Sequence, residues 1–239
     1  MIRSIFVTLV TFTYILIVGT PFLIHAMITR KTDTIYGVGI LGAKLALWLA
    51  GVRLEVKGRE NIPAGRAAVF MPNHQSNCDP PAVASVLPPV LVMAKQEFFR
   101  MPVLGRAMRL RGFIPVDRKN RERAIQAVER AAASLKAGHS FLAYPEGTRS
   151  PDGRLQAFKK GVFVMAMNAG ASIVPISVSG SYKIMQKGNM AIHPGTVRIT
   201  FHPAIPTEGC TVEDRPRIME SVRRAILSGL TEDEQPLDR

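Results

Sequence analysis

The polar stretch NHQSNCDP, residues 73–80, contains a histidine and an aspartate five positions apart. His74 follows an apolar segment typical of a buried strand, so it should lie at a strand's carboxyl end, where open α/β sheets have their sites. A four-residue loop can curl until the carboxylate of Asp79 meets one imidazole nitrogen, which leaves the other nitrogen free to act as a base. The spacing equally allows that Asp79 only caps the short helix that Pro80 begins, with His74 a surface histidine.

The sequence contains no recognisable protein nucleophile to accompany this pair. No serine lies in a G-x-S-x-G sequence, because no two glycines are four positions apart, and Ser76 has no such turn to expose it. A histidine–aspartate pair without a nucleophile can still activate a hydroxyl group that the substrate brings. The stretch therefore points to the transfer of a group to an alcohol.

A second polar stretch, YPEGTRS at residues 144–150, also follows a predicted strand. Pro145 and Gly147 force a turn whose backbone N–H groups can face an anion, and Thr148 and Arg149 add a hydroxyl and a planar guanidinium that suit a phosphate. An ordinary surface turn explains this stretch alone equally well. Two further cations lie at strand ends: Lys95 ends the predicted strand VLVMAK, and Arg118 follows the predicted strand within GFIPVDR.

These candidate residues need a sheet to bring them together, and the chain from Val52 onward alternates between strand and helix patterns. Strands are predicted at 52–57, 67–71, 90–95, 113–116, 140–144, 172–180 and 196–203, and the main helices at 121–137, 158–170 and 212–230. This alternation predicts an α/β domain with a mixed, mainly parallel sheet flanked by helices. The acidic tail, residues 231–239, is predicted to be frayed.

The N-terminus is predicted to be a membrane-associated helical segment. Residues 4–29 contain no Asp, Glu, Lys or Arg, and this run exceeds the ~20 residues that span a bilayer and the ~7–15 of a secretory signal. We expect Pro21 to kink or end the first helix. A second apolar piece, residues 36–51, is short for a span and should re-enter the membrane or pack along the first helix. The predicted division is therefore an anchor, residues 1–51, and a catalytic domain, residues 52–239.

Composition narrows the classes of partner. The 239 residues carry a net charge of +13, which suits a polyanion such as an anionic membrane or a phosphorylated substrate. No basic run is interleaved with aromatic residues, so nucleic acid is not expected. Cys78 and Cys210 form neither a disulfide framework nor a metal ligand set. The G-x-G-x-x-G match at residues 37–42 follows a polar segment instead of a strand, so its glycines should serve helix packing and not nucleotide binding.

Taken in order, these motifs resemble the 1-acyl-sn-glycerol-3-phosphate acyltransferases of glycerolipid synthesis. Four blocks match along residues 52–203: NHxxxxD at 73–79, the glycine-to-arginine block at 112–118, YPEGTRS at 144–150 and IVPI at 173–176. A K-x-E stretch at Lys95 and Glu97 matches between the first two blocks. The sequence departs from the family pattern at Tyr144, where Phe is usual, and at Pro115, where a bulkier apolar residue is common.

The resemblance implies that His74 is the general base toward the free hydroxyl of a lysophosphatidate. It implies that Asp79 orients the histidine and that the hydroxyl attacks an acyl thioester directly, without an acyl-enzyme. It further implies that the phosphorylated acceptor is bound by Lys95, Arg118, Glu146, Gly147, Thr148 and Arg149. No bound cofactor or metal is expected, and acyl-CoA or acyl carrier protein would be the co-substrate.

The expected location is the cytoplasmic face of the inner membrane, in contact with its lipids. Three alternatives stay open from the sequence. The acceptor could be glycerol-3-phosphate or another lysolipid. The protein could be a membrane-bound thioesterase that activates water with His74 and Asp79. Least favoured is a basic protein that binds anionic lipid without catalysis.

Overall fold

The computed structural model of the protein describes residues 1–237. Its strands are β1 (Val52–Lys57), β2 (Ala68–Pro72), β3 (Leu91–Lys95), β4 (Ile114–Val116), β5 (Phe141–Leu142), β6 (Ser172–Ser179) and β7 (Gly195–Phe201). Its α-helices are α1 (Ile2–Ile17), α2 (Gly19–Thr29), α3 (Asp33–Leu49), α4 (Asp79–Ala84), α5 (Pro102–Leu110), α6 (Arg121–Lys136), α7 (Gly161–Ala169) and α8 (Arg215–Ser228).

The strands form one sheet in the order β1-β7-β6-β2-β5-β3-β4. All neighbours pair in parallel except β6 and β7, so β1 and β7 run against the other five strands. The predicted fold class, a mixed and mainly parallel sheet flanked by helices, is confirmed.

Both faces of the sheet are covered, which explains why its central strands are apolar without alternation. Every residue of β2 is buried. One face packs against α6, α7 and α8, where Phe163 and Val222 are fully buried. The other face packs against α3 and α4 through Leu47 and Val83. The strands that carry the site are therefore packed on both faces.

The N-terminal apolar run forms two helices separated at Val18. Together they make a stretch of 28 residues, Ile2–Thr29, that is long and apolar enough to cross a membrane and is mostly exposed. Pro21 has no N–H to donate to the carbonyl of Ile17, so the chain breaks one turn before the proline. The predicted effect of Pro21 is thus confirmed, with the break three residues earlier in the chain.

The second apolar piece, α3, packs on α1 as predicted. The hydroxyl of Tyr14 donates to the carbonyl of Val38 at 2.9 Å. A Cβ added at Gly42 would lie 2.5 Å from the Tyr14 ring, so this close approach requires glycine. The prediction that these glycines serve helix packing is wrong for Gly37 and Gly39, where an added Cβ would meet no atom of residues 1–237 within 4 Å.

The C-terminal tail is ordered, and the prediction of a frayed tail is wrong for its described part. A short 3₁₀ turn spans Glu232–Glu234, with Thr231 as its cap. Glu234 is only 6% exposed, and its carbonyl accepts the N–H of Leu155 at 2.9 Å. The pattern missed this contact because it joins residues 79 positions apart. The prediction for residues 238 and 239 lies outside the described residues.

Candidate active site

The candidate residues follow the carboxyl ends of four neighbouring parallel strands and so lie along one edge of the sheet. In spatial order, His74 follows β2, the YPEGTRS stretch follows β5, Lys95 ends β3 and Arg118 follows β4. Lys95 pairs with Val116 in register, which brings the ends of β3 and β4 side by side. The sheet therefore brings together candidate residues that lie up to 75 positions apart in the sequence.

The imidazole of His74 and the carboxylate of Asp79 are hydrogen-bonded. Nδ1 of His74 lies 2.8 Å from Oδ2 of Asp79. The same oxygen accepts the backbone N–H groups of Gln75 and Ser76, each at 2.7 Å. An ionised carboxylate can only accept, so the proton of the neutral imidazole lies on Nδ1 and the lone pair of Nε2 is available as a base. The His74 side chain is 14% exposed and Asp79 is fully buried.

The alternative in which Asp79 caps a helix is wrong. Asp79 is the first residue of α4, and its carboxylate contacts N–H groups that precede it in the chain. The N-terminus of α4 has no side-chain cap, and Cys78 stands at the cap position. The carboxylate thus closes the loop onto the histidine. Its second oxygen, Oδ1, is buried and has no hydrogen-bond partner among residues 1–237.

Two further buried side chains fix the loop that carries His74. The Asn73 amide donates to the carbonyl of Val178 at 2.8 Å and accepts its N–H at 2.7 Å, which ties the loop to β6. One carboxylate oxygen of Glu146 accepts the backbone N–H of His74. The other accepts the backbone and side-chain N–H groups of Gln156 at 3.0 and 3.1 Å.

Glu146 therefore faces the protein's own N–H groups and lies behind His74. It is 2% exposed, and burial raises its pKa to about 7, although the three N–H donors act in the opposite direction. The sequence grouped Glu146 with the residues that contact the acceptor. The geometry instead gives its carboxylate the task of joining the His74 loop to the segment around Gln156.

Tyr144, one of the two departures from the family pattern, stacks on His74. The ring centroids are 4.1 Å apart and the ring planes differ by 28°. Its hydroxyl is buried without a hydrogen-bond partner among the described residues. Burial, with a further contribution from the charge of Asp79, raises the pKa of Tyr144 well above its ordinary value. The stack limits rotation of the imidazole, as a phenylalanine ring would.

The hydroxyl and thiol nearest to the pair are not arranged as nucleophiles. Ser76 Oγ donates to the carbonyl of Met185 at 2.7 Å and accepts the N–H of Cys78 at 3.1 Å. Cys78 is buried, and burial together with the charge of Asp79 raises the pKa of its thiol to about 12. Within residues 1–237 no serine or cysteine side chain is hydrogen-bonded to the imidazole of His74.

The cationic candidates lie farther along the same edge. Gly147 has a φ of +71°, a left-handed conformation that favours glycine, and the exposed Thr148 and half-buried Arg149 follow it. Nζ of Lys187 donates to the Arg149 carbonyl at 2.9 Å, which adds a cation that the sequence motifs do not indicate. This end of the edge therefore offers backbone, hydroxyl and cationic groups to an anion.

Lys95 and Arg118 form a second cationic group with Glu97. Nζ of Lys95 lies 3.1 Å from the Glu97 carboxylate, and both side chains are about half exposed. Partial burial lowers the pKa of Arg118, and the nearby Glu97 carboxylate opposes that change. The described residues contain no group of three or more His, Cys, Asp and Glu side chains that could hold a metal ion.

Sequence reasoning missed Gln156 because nothing in its neighbourhood marks it. Besides Glu146, its side chain bonds to the carbonyl of Thr148 at 3.1 Å, and its own carbonyl accepts from Arg223 of α8 at 3.0 Å. A lone glutamine in a loop has no spacing or periodicity that distinguishes it from a solvated residue.

Comparisons with known proteins agree with this geometry. A sequence model of the family described as "Acyltransferase" matches residues 53–179. The chain is 34% identical over 214 residues to the chloroplastic 1-acyl-sn-glycerol-3-phosphate acyltransferase LPAT1 of Arabidopsis thaliana, which covers 87% of this chain and 59% of that protein. It is 34% identical over 183 residues to the human 1-acyl-sn-glycerol-3-phosphate acyltransferase alpha, which covers 76% of this chain and 65% of that protein.

A solved structure is similar over nearly the whole chain. The crystal structure of the 1-acyl-sn-glycerophosphate acyltransferase PlsC from Thermotoga maritima superposes with a TM-score of 0.78 at 27% identity, over 95% of this chain and 96% of that one. The chain thus spans only about three fifths to two thirds of the plant and human relatives, yet matches the bacterial structure end to end. The family match, the sequence relatives and the shared fold show that the chain belongs to the acyltransferase family.

Proposed function

We propose that the protein transfers a fatty acyl group from an acyl thioester to the free hydroxyl of 1-acylglycerol-3-phosphate, which gives phosphatidic acid. The observation that carries the proposal is the 2.8 Å contact between His74 Nδ1 and Asp79 Oδ2, with cations farther along the same sheet edge. The names of the sequence relatives and of the bacterial enzyme describe this same reaction and support the choice of acceptor.

The reaction begins with proton removal by Nε2 of His74. The acceptor oxygen attacks the thioester carbonyl as its proton passes to Nε2, and a tetrahedral intermediate forms. When the intermediate collapses, the carbon–sulfur bond breaks and the thiolate takes the proton from the imidazolium. Asp79 keeps the proton of the neutral ring on Nδ1 and stabilises the imidazolium between the two transfers.

The acyl group passes directly from thioester to acceptor in this proposal. The hydrogen of Ser76 is engaged with the Met185 carbonyl, and the buried Cys78 has a thiol whose pKa of about 12 keeps it protonated. Neither side chain is prepared to form an acyl-enzyme. A His–Asp pair alone suffices when the nucleophile is the substrate's own hydroxyl.

The acceptor phosphate is proposed to bind along the cationic part of the edge. Its ligands would be Lys95, Arg118, the N–H of Gly147, the hydroxyl of Thr148 and the guanidinium of Arg149. Charge-assisted hydrogen bonds to such groups are about twice as strong as neutral ones, so they can position a dianionic headgroup. Glu146 serves the same site from behind, because its carboxylate accepts the N–H of His74.

Residues 1–51 are proposed to hold residues 52–239 at a membrane. The apolar stretch Ile2–Thr29 favours association with a membrane. The net charge of +13 favours a membrane surface that is rich in anionic lipid. We assign the protein to the cytoplasmic face of the inner membrane. Acyl-CoA and acyl carrier protein are both candidates for the thioester, and no bound cofactor is required.

The proposal is tested with the purified protein in detergent and a panel of substrates. The panel pairs acyl-CoA or acylated carrier protein with 1-acylglycerol-3-phosphate, glycerol-3-phosphate or a lysophospholipid without a free phosphate. His74→Ala should lower turnover about 10²- to 10⁴-fold. His139→Ala, which changes an exposed histidine outside the site, is the matched control and should not.

Three outcomes would contradict the proposal. Thiol release at the same rate without any acceptor would identify a thioesterase. Binding to anionic vesicles without turnover would identify a lipid-binding protein. More than about a tenth of the parent rate in His74→Ala would remove the histidine from the mechanism.

A further inference from the structure

Glu234 is the one buried side chain in an otherwise exposed acidic segment, Thr231–Asp233 and Gln235 being exposed. Its carboxylate accepts the N–H of Gly180 at 2.7 Å and the N–H of Thr231 at 3.1 Å. Its backbone carbonyl accepts the N–H of Leu155 at 2.9 Å. Burying a carboxylate is costly unless N–H donors replace water. Through its carboxylate to Gly180 and its backbone carbonyl to Leu155, Glu234 forms a joint between two segments that are far apart in sequence.

The first of these segments supports the loop of the catalytic pair from the side of β6. Gly180 directly follows β6, and the next residue, Ser181, donates from its hydroxyl to Oε1 of Gln75 at 3.3 Å. Four residues later the Met185 carbonyl accepts the hydroxyl of Ser76 at 2.7 Å. Gln75 and Ser76 are the residues whose N–H groups bond to Asp79.

The second segment supports the same loop from the side of β5. Leu155 precedes Gln156, whose backbone and side-chain N–H groups bond to Glu146. Glu146 in turn accepts the N–H of His74. Gly180 and Leu155 are therefore each one residue away from a group that holds the His74 loop, and the two routes reach that loop from opposite sides.

We propose that Glu234 is a positioning residue for acyl transfer, which fixes the distance between the two supports of the His74–Asp79 loop. It touches neither substrate nor the reacting atoms. Its role is to keep the segments 155–156 and 180–185 in a single arrangement, so that the imidazole stays in register with the acceptor. This role rests on the proposed function for its kinetic effect, whereas its structural effect can be measured without any substrate.

Glu234→Ala should lower kcat about 10- to 100-fold, because a small displacement of catalytic groups is enough for such a loss. The KM for the thioester should change less than about twofold, since no substrate contact is removed. Asp233→Ala is the matched control: it removes a neighbouring exposed carboxylate that accepts the hydroxyl of Thr231 at 2.6 Å and pairs with the exposed Lys183 at 3.3 Å, and such exposed contacts contribute little. Glu234→Gln, which keeps one oxygen acceptor, should have a rate between those of the parent and Glu234→Ala.

Hydrogen–deuterium exchange of the full-length protein in detergent gives the second readout. In Glu234→Ala, peptides covering residues 141–160 and 174–185 should exchange faster, and so should the peptide that contains His74. A parent-like kcat, or faster exchange confined to residues beyond 230, would overturn the proposal. If Glu234→Ala does not fold, Glu234→Gln decides: a lower kcat with faster exchange at 174–185 supports the role, and parent values of both refute it.

The exchange measurement separates this inference from the proposed function. A parent protein without acyltransferase activity refutes the function, and the exchange pattern of Glu234→Ala then decides alone whether the joint exists. An active parent with Glu234→Ala equal to Asp233→Ala in both rate and exchange refutes the joint and leaves the function intact.

Discussion

Replacing Asp79 by asparagine separates the charge of this side chain from its shape. Oδ2 accepts three N–H groups, from His74 Nδ1, Gln75 and Ser76, whereas Oδ1 accepts none from residues 1–237. The amide oxygen of asparagine will therefore take the position of Oδ2, because the reverse orientation would point two N–H donors at three others. In that orientation the imidazole keeps its proton on Nδ1, and Nε2 remains a base.

The rate loss in Asp79→Asn then reports the missing charge alone. A carboxylate and an imidazolium with charge centres about 4 Å apart attract each other by about 4 kcal/mol at an effective dielectric constant of about 20. Since ~1.4 kcal/mol is a factor of ten in rate, we expect kcat to fall up to about 10³-fold. In a Ser-His-Asp triad the same exchange costs about 10⁴, where it also produces the wrong tautomer. The loss here should therefore be smaller.

The unfolding free energies of the two Asp79 variants should depend on which buried groups lose their hydrogen-bond partners. The asparagine variant buries an N–H₂ group without an acceptor at the position of Oδ1, which costs about 1–3 kcal/mol of unfolding free energy. Asp79→Ala leaves three N–H groups without their acceptor, at about 1 kcal/mol each, and should be the less stable of the two. Asp33→Asn, which changes an exposed aspartate on α3, is the control and should alter neither property.

The assay combines steady-state rates in detergent, thermal unfolding and the ¹⁵N chemical shifts of the His74 ring. The expected result is a rate lowered about 10²- to 10³-fold in Asp79→Asn, with the Nδ1–H tautomer retained. A rate within threefold of the parent would show that the carboxylate charge plays no part in catalysis. A large loss accompanied by the Nε2–H tautomer would show that the amide is turned, and the orientation inferred from the three donors would be wrong.

Arg118→Ala and Arg149→Ala should each raise the acceptor KM by the equivalent of roughly 1.5–3 kcal/mol while the thioester KM stays constant; equal losses for both substrates would indicate a structural role. Tyr144→Phe removes a buried hydroxyl without a partner and keeps the stack on His74, so the Tm should hold or rise and the rate should not change; a clear drop in Tm would reveal a hidden partner. Burial raises the pKa of Glu146 from 4.5 to about 7, so the folded state binds this proton more tightly than the unfolded state does. As the pH rises from about 4.5 to 7, the parent should therefore lose up to about 3 kcal/mol of unfolding free energy relative to Glu146→Gln. Urea titrations of both proteins across that range should show the unfolding free energy of the parent falling relative to that of Glu146→Gln, and a constant difference would contradict the raised pKa.

The sequence offered the pairing of His74 with Asp79, with a helix cap as the equal alternative, because the pairing depends only on local features. A buried strand ends at Pro72, a short loop follows, and a helix begins at Asp79, so the two side chains have little freedom to avoid each other. The strand-end rule likewise put Lys95 and Arg118 on the same edge. Helix α6 was predicted almost to the residue, because Asn120 caps it through its side chain and its pattern is strongly periodic.

The contacts that hold the His74 loop could not be predicted from local sequence features. The contacts of Asn73 with Val178 and of Glu146 with His74 depend on β6 and β5 being the neighbours of β2. No local sequence pattern predicts this strand order. A charged motif residue such as Glu146 is therefore easily assigned to the substrate when its contact is with the protein itself. The prediction for the tail failed for the same reason, because composition cannot show that the Glu234 carboxylate accepts the N–H of Gly180.

The reversal of β7 decides on which side of the sheet the N-terminal apolar helices lie relative to His74. Because β7 opposes β6 and β1 runs parallel to β7, the first residue of β1 lies at the edge where β2 ends, and α3 ends only three residues before it. Ser4 of α1 also accepts the N–H of Ile192, just ahead of β7.

The apolar helices thus leave the sheet on the side of His74. With β7 parallel to β6, they would start from the far edge, a strand length of about 20 Å away. In the proposed reaction, a lysolipid would present its headgroup to His74 while its acyl chain stays in the bilayer, so the acceptor would reach the site by lateral diffusion along the membrane without being extracted from it.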